Sequence, residues 1–145
     1  MTVIGFNITS IKGEVTDVKK LESGINVNIS SSPRIISVEK TDLPVSGITD
    51  TYSVHFKFET NYDPKIGSIV VEGEIFLQSD NAEEIISAWE EKSALHESVT
   101  LEIMNTIMRK CLVKIIQVAD DLRLPSPIRF PVYQLDQEKE TKKKK

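Results

Sequence analysis

The side chains best suited to acid–base, nucleophilic or metal chemistry in this sequence are two histidines and a single cysteine. His96 and Glu97 begin a pattern that is typical of zinc-protease helices, in which a second histidine lies four positions after the first. That position holds Thr100, so the second imidazole ligand is missing. Cys111 falls in the middle of an apolar stripe with helical spacing, where a cysteine behaves as a small hydrophobic residue. Neither pattern predicts a catalytic or metal site.

His55 and Glu59 form another pair that could cooperate, because residues four apart in an extended segment share one face. Both residues alternate with apolar neighbours, and the solvent-facing side of a strand accounts for them. The six glycines are scattered singly, so the sequence contains no glycine-rich phosphate loop. We therefore predict a protein that is not an enzyme and that needs no cofactor or metal.

The composition is that of one globular domain followed by a charged end. A chain of 145 residues can bury a core, and its single cysteine cannot form a disulfide within the chain. No apolar run approaches the roughly 20 residues that span a bilayer, and Met1–Ser10 lacks the features of a signal peptide. These absences favour the cytoplasm. We predict a single domain over residues 1–135 and a disordered, lysine-rich tail over residues 136–145.

The charge is unevenly distributed along the chain. The formal net charge is −4, but Asp136–Lys145 contains five lysines and three acids, a local +2 that leaves −6 for the remainder. An acidic body disfavours binding to nucleic-acid phosphates, which needs a basic surface. The run Lys142–Lys145 nevertheless leaves an RNA- or ribosome-associated role open as an alternative.

Four segments show the alternation of apolar and polar residues that is typical of strands with one buried face. The clearest is Tyr52–Phe58, and Ile69–Leu77 follows it after a run of turn residues. Weaker alternations occupy Phe6–Ile11 and Ile25–Val38, and the latter is interrupted at Pro33, which suits an edge strand. The order of these segments predicts a small antiparallel sheet.

Helical spacing replaces this alternation in the last third of the chain. Asp80 and Glu83 resemble a capping box at the start of a short helix that contains Trp89. From about Glu97 to Leu122 apolar residues recur every three or four positions, which predicts a helix of about 39 Å that Pro125 ends. Its apolar stripe is widened by Met104, Met108, Leu112 and Ile116. A stripe this wide predicts two partners, the sheet and another subunit.

Several sequence stretches resemble the SecB family of export chaperones. The segment Phe6–Ile11 is similar to that family's first strand, Arg109–Val113 through Leu124–Pro125 to its long helix and proline break, and Ile128–Tyr133 to its apolar C-terminal segment. The resemblance covers about Phe6 to Leu135. The chain departs from the family pattern in two places: Glu90–Ile103 lacks glycine and proline, and the end is lysine-rich.

The resemblance implies an α+β fold, in which a four-stranded antiparallel sheet is followed by a short and a long C-terminal helix packed on one face. It also implies a homotetramer, a dimer of dimers, that holds unfolded polypeptides in apolar grooves without a nucleotide and serves protein export. By position, the groove is lined by Leu43, Val45, Ile48, Phe130 and Tyr133, with Trp89 as a neighbour unless its role is structural. The subunit interface takes Met104, Met108 and Leu112. An adaptor for one dedicated partner, such as a toxin, is a further alternative.

Overall fold

A computed structural model describes residues 2–41 and 50–135 of the chain. Within these residues, four strands and three helices follow one another in the order β1 (Thr2–Val15), α1 (Val18–Glu22), β2 (Asn28–Lys40), β3 (Thr51–Asp63), β4 (Gly67–Gln78), α2 (Ala82–Lys92) and α3 (Glu97–Asp121). The predicted groove residues Leu43, Val45 and Ile48 and the lysine-rich residues 136–145 lie outside the described residues. No described helix is both long enough and apolar enough to cross a membrane.

The four strands form one antiparallel sheet in the order β1-β4-β3-β2, which places β3 and β4 in the centre. Alternation explains the burial of β3, since Tyr52, Val54, Phe56 and Phe58 are all at most 1% exposed. The helices α2 and α3 follow the last strand in sequence and cover one face of the sheet. The predicted α+β class, with a four-stranded sheet followed by a short and a long helix, is confirmed.

A row of residues on α3 closes the core against the sheet. Ile103, Ile107, Cys111, Ile115 and Ala119 recur every four positions and are at most 1% exposed. The helix starts at the predicted residue and ends one residue earlier than predicted, with Leu122 as its C-cap. Tertiary packing of this row, rather than helix propensity, accounts for the stability of so long a helix.

Local details differ from the sequence-based expectations in two places. The short helix α1, between β1 and β2, is not predicted by the alternation. The capping box at Asp80 and Glu83 is wrong: the N-cap of α2 is Asn81, and its side chain makes no capping bond. The Asn81 Oδ1 instead accepts a hydrogen bond from the Ser79 hydroxyl.

The chain breaks between α2 and α3 without glycine or proline. Ser93 takes a left-handed conformation (φ 51°) as the C-cap of α2, and its amide donates to the carbonyl of Trp89. His96 then caps α3, because its Nδ1 accepts a hydrogen bond of 3.2 Å from the Ser98 amide. This histidine therefore caps the N-terminus of α3.

Candidate functional site

The two flanks of α3 are the starting point for locating a binding surface. A helix turns by about 100° per residue, so residues four apart form a row along its axis. On one side of the sheet-facing row, Val118 and Leu122 point toward β1, where they would lie 2.7 and 2.9 Å from a Cβ added at Gly13. The other flank carries the row Met104, Met108, Leu112 and Ile116, all partly buried.

The β2-side flank opens into an apolar hollow of about 300 Å³, which we call the Trp89 hollow. Its walls are supplied by β2, by the end of α2, by the break between the helices and by the start of α3: Pro33, Arg34, Ile35, Trp89, Ser93, Ala94, Leu95, Thr100 and Met104. Ser93, the left-handed C-cap of α2, belongs to this lining, so the break between the two helices borders the hollow. Arg34 is the one charged residue in this lining.

The Trp89 hollow adjoins an edge of the sheet. Within the described residues, β2 pairs with β3 alone, so its other side has main-chain groups that are not used in the sheet. Pro33 has no amide hydrogen, and the register shifts between Ile35 and Ser37. The bulged residue Ile36 is 49% exposed. An apolar hollow beside a partly available strand edge suits an extended polypeptide, which can use both main-chain and side-chain contacts.

A second apolar hollow, of about 260 Å³, lies at the other end of the same flank and is called the Phe130 hollow. It is lined by Ile116, Gln117, Ala119, Asp120, Leu124, Ser126 and Phe130. The segment after α3 is positioned by a Schellman turn, in which the Leu124 amide donates to the Ala119 carbonyl at 2.8 Å. The Tyr62 hydroxyl then donates to the Pro125 carbonyl at 2.8 Å, which fixes the root of the tail on β3.

Between the two hollows the row on α3 is continuous. Met104 and Met108 pack against the core, whereas Leu112 and Ile116 are partly buried without belonging to that packing layer. We call the surface from the Trp89 hollow to the Phe130 hollow the α3 groove. Methionine side chains adapt to irregular partners, which suits a surface that accepts more than one sequence.

The predicted site residues divide between the ends of this groove. Trp89 is half-buried in the Trp89 hollow, together with Met104, which the sequence placed in a subunit interface. Phe130 lies in the Phe130 hollow and is 55% exposed, whereas the Tyr133 side chain is fully exposed at 101%. Sequence reasoning missed Pro33, Ile35 and Leu95 as groove residues. An apolar residue beside a strand-interrupting proline was the available signal for Ile35.

The titratable groups of the core are kept neutral at physiological pH. Burial raises the pKa of Cys111 to about 11, so its thiol stays protonated. Burial, with a smaller contribution from the Glu102 carboxylate, raises the pKa of Tyr52 to about 12. Among residues 2–41 and 50–135, no three histidine, cysteine, aspartate or glutamate side chains are grouped so that they could hold a metal ion.

Comparison with known proteins gives a fold relationship. No protein-family model matches the chain. No curated protein matches it. Among solved structures, it is similar to the Mycobacterium tuberculosis Rv1957 SecB-like chaperone, solved in complex with a ChAD peptide from the Rv1956 HigA1 antitoxin. The TM-score is 0.51 at 11% sequence identity, over 92% of this chain and 91% of that one. This similarity concerns the fold alone: the chain has an α+β fold like that of a SecB-like chaperone.

Proposed function

We propose that this protein is a nucleotide-independent holdase that binds unfolded or partly folded polypeptides in the α3 groove. The observation that carries the proposal is the Trp89 hollow, an apolar cavity of about 300 Å³ beside the edge strand β2. Polypeptides that have not folded expose apolar side chains, and each square ångström of apolar surface removed from water contributes roughly 25 cal/mol. The SecB-like fold of the similar chaperone, solved with a bound peptide, supports the same function.

The groove suits a passive binder of varied sequences. A client segment would place apolar side chains against Trp89, Leu95 and Met104, while its main chain pairs over a short stretch of β2. No chemical step is required for holding, because affinity comes from burial of apolar surface and from main-chain hydrogen bonds. We include the cytoplasm and a role in protein export in the proposal, as the sequence resemblance implies.

Assembly into a dimer of dimers is part of the proposal. A wide, open hollow of about 560 Å³ on the outward side of α3 includes Leu101 and Met108, and Leu101 is 61% exposed. Packing of Leu101 and the outward side of Met108 against a second copy would bury apolar surface that one chain leaves in water, and it would leave the hollows at the two ends of the α3 groove to the client. Native mass spectrometry tests this, and a monomer at micromolar concentration would refute the assembly.

The binding site is tested with Trp89, which is the chain's only tryptophan. We expect an apolar peptide to shift its fluorescence, and we expect Met104→Gln to weaken that binding by about tenfold, equivalent to about 1.4 kcal/mol. Ile25→Gln is the matched control, since Ile25 is 40% exposed and lies three positions before the first residue of β2. An equal effect of both substitutions would reject the Trp89 hollow as the site.

Holdase activity is measured separately, by light scattering of an aggregating client. We expect the protein to suppress scattering at stoichiometric amounts without added nucleotide, and Met104→Gln to suppress it less. Unchanged scattering in the presence of the wild-type protein would reject the function.

An adaptor for one dedicated partner is the second candidate. It is favoured by one finding, that the similar chaperone was solved with a peptide from an antitoxin. A panel of unrelated apolar peptides separates the two candidates. Binding of most of the panel with similar affinity supports a holdase, whereas strong binding of a single sequence supports an adaptor.

A further inference from the structure

A polypeptide that pairs with the edge strand β2 presents its side chains to two different surfaces. Successive side chains of an extended chain point to opposite faces of a sheet. On one face they enter the Trp89 hollow, beside Pro33 and Ile35. On the other face, which α2 and α3 do not cover, they lie next to the outward-facing residues of β2. This second row determines which residues a client can carry between its apolar side chains.

The outward-facing row of β2 contains a single positive charge. Its members pair with those residues of β3 that alternate with the buried ones: Ser30, Ser32, Arg34, Ser37 and Glu39. In this row, which lies entirely within the described residues, Arg34 is the only cation, and it is exposed. A client side chain on this face therefore meets a positive charge near the middle of the row.

The charge of Arg34 is not neutralised by the fold. Arg34 is directly opposite Lys57 on β3, and both line a small cavity of about 40 Å³ with Ser32 and Glu59. Glu59 is engaged by the lysine, since its Oε1 lies 3.1 Å from the Lys57 Nζ. None of the ion pairs formed within residues 2–41 and 50–135 includes Arg34. The guanidinium thus keeps its charge and its hydrogen-bond donors for a ligand.

Arg34 borders both surfaces at the edge of the sheet. It contributes to the lining of the Trp89 hollow as well as to that of the small cavity. When two apolar side chains of a client enter the hollow, the side chain between them points to the opposite face, beside Arg34. A carboxylate in that place can accept two parallel hydrogen bonds from the guanidinium.

We propose that Arg34 selects extended client segments in which an acidic residue lies between two apolar residues. This inference rests on the proposed function and adds a client preference to it. Because the ion pair stays close to water, its contribution is modest, and we expect aspartate to be preferred to asparagine by about threefold to fivefold. A preference of this size still leaves the groove open to varied sequences.

The test uses three peptides of nine residues in which serine and leucine alternate. The central serine is replaced by aspartate, by asparagine or by lysine. None of the peptides contains tryptophan, so the fluorescence of Trp89, the chain's only tryptophan, measures binding. The wild-type protein should bind the aspartate peptide most tightly and the lysine peptide least. Raising the salt from about 0.1 M to 1 M shortens the Debye length from about 10 Å to 3 Å and should reduce these differences.

Substitutions of Arg34 should change the order of the three affinities. Arg34→Glu should reverse it, so that the lysine peptide binds most tightly. Arg34→Lys should keep part of the preference for aspartate, because lysine supplies the charge without the planar fork of donors. Lys12→Glu is the matched control. Lys12 is exposed on the same face of the sheet, at the opposite edge strand β1, and its substitution changes the net charge equally.

The outcomes separate the client preference from the proposed function. Met104→Gln should weaken all three peptides by a similar factor, whereas Arg34→Glu should change their order. Equal affinities of the wild-type protein for the three peptides would overturn the preference and leave the holdase in place. An equal loss of preference in Arg34→Glu and Lys12→Glu would also overturn it, since overall charge would then be the cause. Failure of all three peptides to bind would reject both the preference and the Trp89 hollow as the client site.

Discussion

The two flanks of α3 have the same spacing of apolar residues and different environments. On the β1 side, Val118 and Leu122 lie so close to the strand that only a glycine, Gly13, leaves room for them. On the β2 side, Leu112 lies between two hollows, and Ile116 lines one of them. The comparison shows that helical spacing predicts how wide an apolar stripe is, whereas the neighbouring strand decides how closely each part of the stripe is packed.

The largest expected effect contrasts the buried row of α3 that faces the sheet with the partly buried row on its β2 side. Ile107 is 0% exposed, and we expect Ile107→Ala to lower the free energy of unfolding by about 2–5 kcal/mol, because it leaves a cavity that the core cannot fill. Leu112→Ala should lower it by less than about 1 kcal/mol, since water already reaches this side chain. Urea denaturation followed by circular dichroism measures both. Equal losses would mean that Leu112 is sealed and that the α3 groove is not open.

A second substitution tests the packing of the β1-side flank directly. We expect Gly13→Val to lower the free energy of unfolding by about 1–3 kcal/mol, because its Cβ would meet Val118 Cγ1 at 2.7 Å and Leu122 Cδ1 at 2.9 Å. Adding Leu122→Ala should restore part of this loss by making room. A double-mutant cycle in urea gives the coupling, and purely additive effects would show that the flank is loosely packed.

The third prediction uses alkaline pH to compare buried and exposed groups. Burial raises the pKa of Cys111 from 9.0 to about 11 and that of Tyr62 from 10.0 to about 12. The folded state thus holds these protons more tightly than the unfolded chain. Their contribution to stability is therefore complete when the pH is below the pKa of the unfolded state, and it is lost as the pH rises through the pKa of the folded state. We expect the urea midpoint to fall between about pH 9 and pH 12.

The matched pair for this prediction is Tyr62→Phe and Tyr133→Phe. Tyr62→Phe should cost about 1 kcal/mol at neutral pH, through loss of the hydrogen bond to the Pro125 carbonyl, and should reduce the alkaline decline. Tyr133 is fully exposed, and its substitution should change neither. An alkaline decline that is identical in both variants would show that Tyr62 does not contribute to it.

The smallest expected effect concerns the turn that directly follows α3. Arg123 has φ 59°, a left-handed conformation that disfavours a side chain, so we expect Arg123→Gly to raise the free energy of unfolding by about 1 kcal/mol. Arg109→Gly, in the middle of α3, should lower it by a similar amount. Thermal denaturation measures the two shifts. A destabilised Arg123→Gly would indicate that the arginine side chain makes a contribution larger than the strain.

Much of the fold could be predicted from the sequence because its signals are local. Alternation in Tyr52–Phe58 identifies the central strand, and the spacing from Glu97 onward gives the long helix to within one residue. The break between α2 and α3 was not settled by the sequence. It depends on a left-handed serine, Ser93, and serine has no strong preference for that conformation. The helix α1 is five residues long, too short for a periodic signal.

The candidate site could be predicted only in part, because it is assembled from distant segments. Trp89 and Met104 lie on neighbouring helices, and their stripes indicated that both are apolar contact residues. Pro33 and Ile35 enter the same hollow through the position of β2 at the edge of the sheet, and strand order is a long-range property. The predictions for Leu43, Val45 and Ile48 concern residues outside the described ranges, and they stay predictions.

Pro33 and the bulge in β2 limit how many residues of another chain can pair with this edge. An uninterrupted edge of thirteen residues would template a growing stack of strands, the first step toward a fibril. Without the Pro33 amide, and with the register shifted after Ile35, the ladder that a newcomer can form is divided into short pieces. A chain that pairs over only a short stretch is held weakly and dissociates easily. We therefore expect this edge not to nucleate the aggregation of unfolded, apolar chains that contact it.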